Sequence, residues 1–335
     1  NYAEDGGSAA DGVIYVRPGV KDTSLGSSRY AQVRISVDGT HYLKGMAMYK
    51  DDLPEGKDLV FNTNKSNTGN KKDAMKELKD DPDNPFGATI TRRSGVMNIV
   101  NEEGDWQEWS KTLSSQFLSK QSPTLAKTQL DMTLEQKKND LKEIMSLTNP
   151  TVKKKLLETY ADDVDSSAVH LKAAHLPRQG SHVILPVSSM KENEVYAPNF
   201  TSGEKVVLIR YPHAGTFEIP ELTVNTRNPE AKKLLGDAKD AIGIHPKVAE
   251  RLSGADFDGD TVLVIPNNEG KVKTTAALEG LKNFDPQIYK IPEGSDIPKI
   301  KSGTKQVEMG LVSNLITDMT VRKASTIELA AAVRH

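Results

Sequence analysis

Hydrophobic and polar positions alternate in short runs over the first part of the chain, which is the period of β-strands. Turn signals such as Asp38-Gly39 separate these runs, and the polar stretch 63–84 predicts a loop. The strand-like runs cover residues 12–16, 30–37, 43–49, 59–61 and 89–100. This pattern predicts a β-rich region over residues 1–104.

The period changes to that of a helix after residue 104. Four large apolar residues fall on one face at helical spacing, and this favours a core-facing stripe over a platform for base stacking. These residues are Trp106, Trp109, Leu113 and Phe117. Thr133 begins a capping box that predicts a helix start, and Pro150 predicts another. Residues 105–178 are therefore expected to form a helical connector.

The strand pattern returns over residues 179–305, with short helices predicted near Pro229 and Pro246. The continuously apolar run Thr261–Ile265 is typical of a strand buried on both faces. Residues 306–335 have a helical pattern again. No segment repeats another at the level of sequence identity.

The composition limits the classes of protein to which this chain can belong. A length of 335 residues exceeds what one core usually holds, and 36% hydrophobic with 27% charged residues is typical of a soluble globular chain. Lys plus Arg number 44 and Asp plus Glu 46, so the net charge of −2 excludes a polycation while permitting a local basic channel. The absence of cysteine excludes disulfides, thiolate zinc sites and cysteine nucleophiles.

The apolar runs are strand-sized and far shorter than the ~20 residues that span a bilayer. The chain does not open on a basic start followed by an apolar stretch, the pattern of a secretory signal. We therefore expect a soluble, cytoplasmic protein with no membrane partner, in the host cytoplasm if the source is a virus. Because the chain lacks an initiator Met and stops inside an apparent helix at 327–335, we expect a processed or trimmed piece of a longer protein.

Three carboxylates stand at alternate positions in the segment Ala255–Asp260 (ADFDGD), directly before the predicted buried strand. Their mutual repulsion needs an offsetting cation, which a hard divalent ion with oxygen ligands supplies. Gly259 permits the sharp bend that lets the side chains converge. The segment predicts a Mg²⁺ site, with Mn²⁺ as the alternative ion, formed by Asp256, Asp258 and Asp260.

Two other interpretations of this segment compete. Asp-x-Asp-x-Asp also opens an EF-hand loop, but that loop needs Gly at its sixth position and Glu at its twelfth, where this chain has Thr261 and Asn267. An acidic surface turn is the other alternative. A short predicted helix before the segment and a buried strand after it are poor context for a simple turn.

The acidic segment resembles the metal-binding signature of the largest subunit of cellular multisubunit RNA polymerases, and residues 241–248 (AIGIHPKV) resemble the stretch that leads into it. The chain is also similar to the RNA-directed RNA polymerases of eukaryotic RNA silencing and to their single-chain phage relatives. Further segments resemble the silencing-type enzymes in the expected order. They are Ala10–Gly12, Gln32–Arg34, Leu43–Met46, Val206–Pro212 and Gly310–Asn314.

This resemblance implies a β-rich α+β fold in which two double-psi β-barrels face each other across the active site. The first barrel is expected at 1–104 and bears the lysines, and the second at 179–305 bears the acidic loop. The helical connector at 105–178 joins them, and a helical segment at 306–335 follows.

The resemblance also implies roles for single side chains. Asp256, Asp258 and Asp260 would hold the Mg²⁺ that activates the 3′-hydroxyl of the growing strand, while a second ion arrives on the nucleotide. The alternative to a metal role is the acidic turn described above.

Three cationic residues are implied to contact the nucleotide or the strand end. Lys44 and Lys65 would act as point charges on phosphates, and Arg210 would contact the incoming ribose or phosphate through its fork of donors. A solvated surface group is the alternative for each lysine, and a structural ion pair for Arg210. His245 is better explained as a cap of the short helix, or as a packed residue, than as a catalyst.

The chain departs from the polymerase pattern in two places. Gly254 stands where the cellular enzymes have the Asn that helps to read the ribose 2′-hydroxyl. Selectivity for ribonucleotides is therefore in question, or depends on Arg210. A bridge helix and a mobile trigger loop are also not identified.

The leading functional prediction is a template-dependent RNA polymerase with a nucleic-acid template, nascent RNA and nucleoside triphosphates as partners. RNA and single-stranded DNA both remain open as templates, and the residues do not indicate an oligomeric state. The main alternative is a non-catalytic two-barrel module that binds nucleic acid or protein. A metal-dependent nuclease is a third hypothesis, since the same ions activate water.

Overall fold

The computed structural model describes residues 1–6, 10–62, 75–106, 112–114, 123–172, 180–210, 213–281, 284, 286–289, 291, 295–298 and 300–335. The chain divides into two compact units. One comprises Asn1–Trp109, Gly180–Val206 and Leu222–Val264, and the other Ser110–Gln179, Val207–Glu221 and Ile265–His335. Among the described residues, no helix is both long and apolar enough to cross a membrane.

The first region forms an eight-stranded sheet with the order β1-β5-β2-β4-β3-β8-β7, and β6 pairs with β4. Its strands are β1 (Tyr2–Glu4), β2 (Val13–Val16), β3 (Tyr30–Val37), β4 (His41–Tyr49), β5 (Leu59–Phe61), β6 (Met75–Glu77), β7 (Arg92–Ser94) and β8 (Met97–Glu102). The predicted β-rich character is confirmed. A double-psi barrel over this region stays a prediction.

The longest hairpin of this sheet shows why these residues form strands. Inward positions of β3 are buried and alternate with half-buried ones, as the period of two requires. Asp38 and Gly39 have φ angles of +50° and +70°, which Asp tolerates and Gly adopts freely, so the predicted turn is confirmed. The core of the sheet is mainly aliphatic, with Val16, Leu25 and Val33 among its members, and also contains Phe61 and Met97.

The middle of the chain combines two strands with two long helices. The elements are β9 (Thr112–Ser114), α1 (Pro123–Ser146), α2 (Pro150–Val169) and β10 (His170–Lys172), and β9 pairs antiparallel with β10. The helices are held together by an ion pair between Lys137 and Asp163 and by the Tyr160 hydroxyl, which donates to the Lys137 carbonyl. The helical connector is thus helical over α1 and α2, and Pro150 begins α2 as predicted.

Two details of the connector differ from the sequence prediction. The helical face from Trp106 to Phe117 is wrong at residues 112–114, because Leu113 pairs with Leu171 in a strand ladder. Trp106 instead packs its ring 5.8 Å from that of Tyr30, while Trp109 and Phe117 lie outside the described residues. Thr133 does not start a helix, because α1 already begins at Pro123 and the Thr133 hydroxyl donates to the Gln129 carbonyl inside it.

The second β region is a closed six-stranded barrel with the order β11-β15-β12-β14-β13-β16. Its elements are β11 (Gly180–Pro186), β12 (Glu194–Tyr196), β13 (Lys205–Ile209), β14 (Glu221–Val224), α3 (Pro229–Leu235), β15 (Ala241–Ile244), α4 (Pro246–Ala249) and β16 (Thr261–Pro266). Both short helices begin at the predicted prolines. Val262 to Ile265 of β16 are buried, which confirms the predicted buried strand.

Two helices follow the barrel and confirm the predicted helical segment. They are α5 (Ser302–Val321) and α6 (Thr326–Arg334). Ser325 and Glu328 form a capping box that fixes the start of α6. Leu329 and Ala330 of α6 pack with Phe217 and Leu278 in a small apolar cluster.

The sheet and the barrel share a four-strand arrangement that the sequence does not reveal. In the sheet, β5-β2 are antiparallel, β2-β4 parallel and β4-β3 antiparallel. In the barrel, β16-β11 are antiparallel, β11-β15 parallel and β15-β12 antiparallel. The next pair differs, since β3-β8 are antiparallel and β12-β14 parallel.

Candidate metal centre

The acidic loop lies between α4 and β16. His245 caps α4 by accepting a hydrogen bond from the Lys247 amide at Nδ1, over 3.2 Å, so the structural interpretation of this histidine is confirmed. Ala255 and Phe257 are buried, whereas Asp256, Asp258 and Asp260 between and after them are only half-buried. This alternation anchors the loop through its apolar residues and leaves the three carboxylates partly exposed to solvent.

The three carboxylates converge on one point. One oxygen from each of Asp256, Asp258 and Asp260 lies within 4.8 Å of the others. Two ligands of a single ion are separated by at most twice the metal–oxygen distance, which is about 4.2 Å for Mg²⁺ and about 5 Å for Ca²⁺. The oxygen-only donor set and its spacing therefore fit one hard divalent cation after a small contraction.

The loop also uses its own carboxylates to hold its backbone. Asp260 accepts a hydrogen bond from the Asp256 amide at 2.9 Å, and Asp256 accepts one from the Asp258 amide at 3.3 Å. Both bonds tie a carboxylate to the backbone of the same loop. The sequence Asp-x-Asp-x-Asp thus folds into a turn that holds its carboxylates together.

The close approach of the carboxylates changes their ionisation. Burial, and then the negative charge of Asp258, raise the pKa of Asp256 to about 7. Burial also opposes ionisation of Asp258, but its hydrogen bond with Asp256 and the ammonium of Lys44 lower its pKa below the usual value. The pair therefore retains a proton more readily on Asp256 than on Asp258.

Two cationic residues of the sheet face this loop. Lys44 of β4 forms an ion pair with Asp258, and Arg34 of β3 stands opposite Lys44 in the strand register. Burial lowers the pKa of the Arg34 guanidinium, and the charge of Asp258 partly offsets this. Arg34, unlike Lys44, had no role assigned from the sequence, although it lies in the segment Gln32–Arg34 that resembles the polymerase pattern.

The backbone of the sheet touches the acidic loop directly. The Phe257 amide donates to the Asp11 carbonyl at 2.7 Å. Gly12 has a φ of +87°, and a Cβ atom at this position would lie 2.6 Å from the Asp258 nitrogen. Only glycine combines this backbone conformation with this closeness.

A side chain of the sheet reaches the same loop. The Gln32 amide donates to the Asp258 carbonyl at 2.9 Å, and the Asn101 amide donates to Gln32 Oε1 at 3.1 Å. Gly259, with a φ of +120°, makes room for this contact, since a Cβ atom there would lie 2.4 Å from Gln32 Nε2. Nothing in the sequence signalled Asn101.

The remaining predicted residues are not brought into this cluster. Lys65 lies outside the described residues. Arg210 directly follows β13, is half-buried and belongs to the other compact unit, so its nucleotide role stays a prediction. Gly254, the departure from the polymerase pattern, is exposed and has a φ of +66°, a conformation that favours glycine and that Asn also tolerates.

Comparison with known proteins gives matches among solved structures but none among protein families. No protein-family model and no curated protein matches the sequence. Among solved structures, the chain is similar to the RNA-dependent RNA polymerase QDE-1 from Thielavia terrestris, with 14% identity and a TM-score of 0.47. The similarity covers 98% of this chain and 41% of that one, so this chain spans less than half the length of that polymerase.

Proposed function

We propose that the chain is a template-dependent RNA polymerase, a nucleotidyltransferase that acts on an RNA or single-stranded DNA template. The observation that carries this proposal is the convergence of three carboxylates of the barrel with a lysine of the sheet. The residues involved lie in the segments that resemble the two-barrel polymerases.

Asp256, Asp258 and Asp260 are the residues that would hold the ion. Mg²⁺ bound there, with a second ion on the nucleotide, supplies the two-metal chemistry that stabilises the attacking and leaving oxygens of phosphoryl transfer. In that reaction the 3′-hydroxyl of the strand loses its proton to water, and its oxygen bonds to the α-phosphorus of the triphosphate. The bond from that phosphorus to the bridging oxygen breaks, and pyrophosphate leaves.

In this proposal the cationic residues bind the phosphate groups of the nucleotide or of the strand end. Lys44 is 39% exposed at its side chain and lies beside Asp258, so its ammonium is placed for a phosphate close to the carboxylates. Arg34 adds a second positive charge from the neighbouring strand. Lys65 and Arg210 remain candidates for phosphate and ribose contacts on the strength of the sequence resemblance alone.

Nucleotide incorporation tests this proposal directly. Labelled nucleoside triphosphates are offered with primed RNA and primed single-stranded DNA, with Mg²⁺ and then with excess chelator. We expect Mg²⁺-dependent extension that Asp258→Asn lowers about a thousandfold, because metal stabilisation of the transition state contributes several kcal/mol. Asp237→Asn is the matched control, since this aspartate of the same unit is 98% exposed at its side chain.

The outcomes separate the alternatives. Extension that Asp258→Asn abolishes and Asp237→Asn preserves supports the polymerase, and the preferred template identifies its kind. Shortening of the labelled strand instead of extension indicates a nuclease. Template binding that Asp258→Asn leaves unchanged, with no incorporation, indicates a non-catalytic binding module and overturns the proposal.

A further inference from the structure

The acidic loop is held from outside by a two-step hydrogen-bond chain. Asn101 of β8 donates to the side-chain oxygen of Gln32, and the Gln32 amide nitrogen donates to the Asp258 carbonyl. Because Asn101 occupies the oxygen of the Gln32 amide, it orients the nitrogen toward the loop. The chain of bonds thus ends on the backbone of a residue whose carboxylate is part of the proposed metal site.

Two backbone features are matched to this contact. The register of β3 and β8 shifts between Gln32 and Val33, because β8 has one unmatched residue, Val100, directly before Asn101; such irregularities change the direction of nearby side chains. Gly259 leaves room for the Gln32 amide, which any side chain there would displace. A surface glutamine with no role would need neither feature.

We propose that Gln32 is a positioning residue of the metal centre, and that Asn101 fixes the orientation of its amide. This inference rests on the proposed metal site at Asp256, Asp258 and Asp260. Three converging carboxylates repel one another, so the loop tends to open when no cation is bound. The bond from Gln32 to the Asp258 carbonyl opposes that opening from the sheet and keeps the carboxylates spaced for the ion.

Binding of Mn²⁺, followed by electron paramagnetic resonance on the full chain, tests this role without relying on activity. We expect Gln32→Met, which keeps the side-chain volume and removes both hydrogen bonds, to weaken Mn²⁺ binding about tenfold. This is the lower range for losing a group that orients a metal ligand. Asn101→Ala is expected to weaken binding in the same direction but less, because Gln32 retains its donor.

A matched control comes from the same strand. The Asn98 amide donates to the Arg34 carbonyl at 3.1 Å, so it links β8 to β3 as Asn101 does, without a bond to the acidic loop. Asn98 is 6% exposed, and we expect Asn98→Ala to lower the melting temperature at least as much as Gln32→Met does. Its Mn²⁺ affinity is nevertheless expected to stay within about twofold of wild type.

Amide hydrogen exchange of the metal-free protein gives a second readout. Gln32→Met is expected to speed exchange over residues 255–260, and Asn98→Ala is not. Unchanged Mn²⁺ affinity in Gln32→Met overturns the positioning role, and so does an equal loss in Asn98→Ala. If wild type itself binds no Mn²⁺, the proposed metal site fails and the inference fails with it, so the two failures are distinguishable.

Discussion

The sheet and the barrel have the same four-strand arrangement, but they contribute side chains of opposite charge to the candidate metal centre. The barrel supplies Asp256, Asp258 and Asp260, all from one loop that leads into β16. The sheet supplies Lys44 and Arg34 from two paired strands. The acidic residues lie within five consecutive positions of the sequence, whereas the cationic residues are brought together only by strand pairing.

This difference explains why the site needs both regions. Carboxylates crowded on one loop destabilise it unless positive charge lies near, and the lysine of the sheet provides that charge in the metal-free chain. The sheet also contributes groups without charge, the Gly12 backbone and the Gln32 amide, which hold the loop in place. The barrel therefore provides the candidate ligands, and the sheet provides their counter-charge and their support.

The largest effect is expected from a substitution that forces the sheet and the acidic loop of the barrel apart. Gly12→Ala places a methyl group against the Asp258 backbone, so we expect about 3 kcal/mol of lost stability from strain and overpacking together. Gly19→Ala is the control, because Gly19 has a similar φ of +84° with open space around it. We expect it to cost about 1 kcal/mol by chemical denaturation. Equal losses in the two variants would contradict the close approach.

Neutralising one carboxylate tests the repulsion within the barrel loop. The pKa of Asp256 in the folded chain is raised to about 7, so its contribution to stability is present below pH 4 and is lost as the pH rises through 7. The Asp256→Asn variant has no carboxyl group to ionise at this position, so it does not lose this stability as the pH rises. We expect the melting temperature of the metal-free variant to exceed that of wild type by about 2 °C at pH 8, or roughly 1 kcal/mol.

The same pair of proteins should lose this difference at low pH. At pH 4, where Asp256 of the folded wild type is protonated, the two melting temperatures are expected to agree. Mn²⁺ is expected to raise the melting temperature of wild type and to leave that of Asp256→Asn nearly unchanged. A difference in melting temperature that does not vary with pH would show that ionisation of Asp256 is not its cause.

Removing the positive charge that Lys44 places beside the acidic loop is expected to have a smaller effect. Lys44 and a metal ion compete for Asp258, so Lys44→Met is expected to tighten Mn²⁺ binding about threefold, the scale of a half-exposed ion pair. The same change is expected to weaken binding of a non-hydrolysable nucleoside triphosphate. Calorimetric titrations with each ligand measure both directions.

Lys50→Met is the matched control for this experiment. Lys50 follows the same strand and lies over the Tyr15 ring, 4.7 Å from its centre, and its carboxylate neighbour is Asp52. Both affinities of this variant are expected to equal those of wild type. Weaker Mn²⁺ binding in Lys44→Met would assign the lysine to support of the loop rather than to competition with the ion.

Local features of the chain were predictable because their causes are local. Pro150, Pro229 and Pro246 begin helices because their fixed φ and missing amide hydrogen suit that position. The apolar run at Val262–Ile265 marked a buried strand, and the spacing of the aspartates marked a candidate site. The predicted helical face at Leu113 was wrong, because pairing with a distant strand overrode the local period.

What the sequence determined by itself was the composition of the centre. Asp-x-Asp-x-Asp before a buried strand, with a glycine to bend the backbone, brings oxygen ligands together within five residues. The tertiary structure decided what surrounds them. Strand pairing places Arg34 opposite Lys44, the Gln32 amide donates to the Asp258 carbonyl, and the missing side chain of Gly12 lets the loop approach the sheet. The contacts of Gln32 and Gly12 with the acidic loop join residues more than two hundred positions apart, and such contacts depend on burial and register across the whole unit rather than on any local pattern.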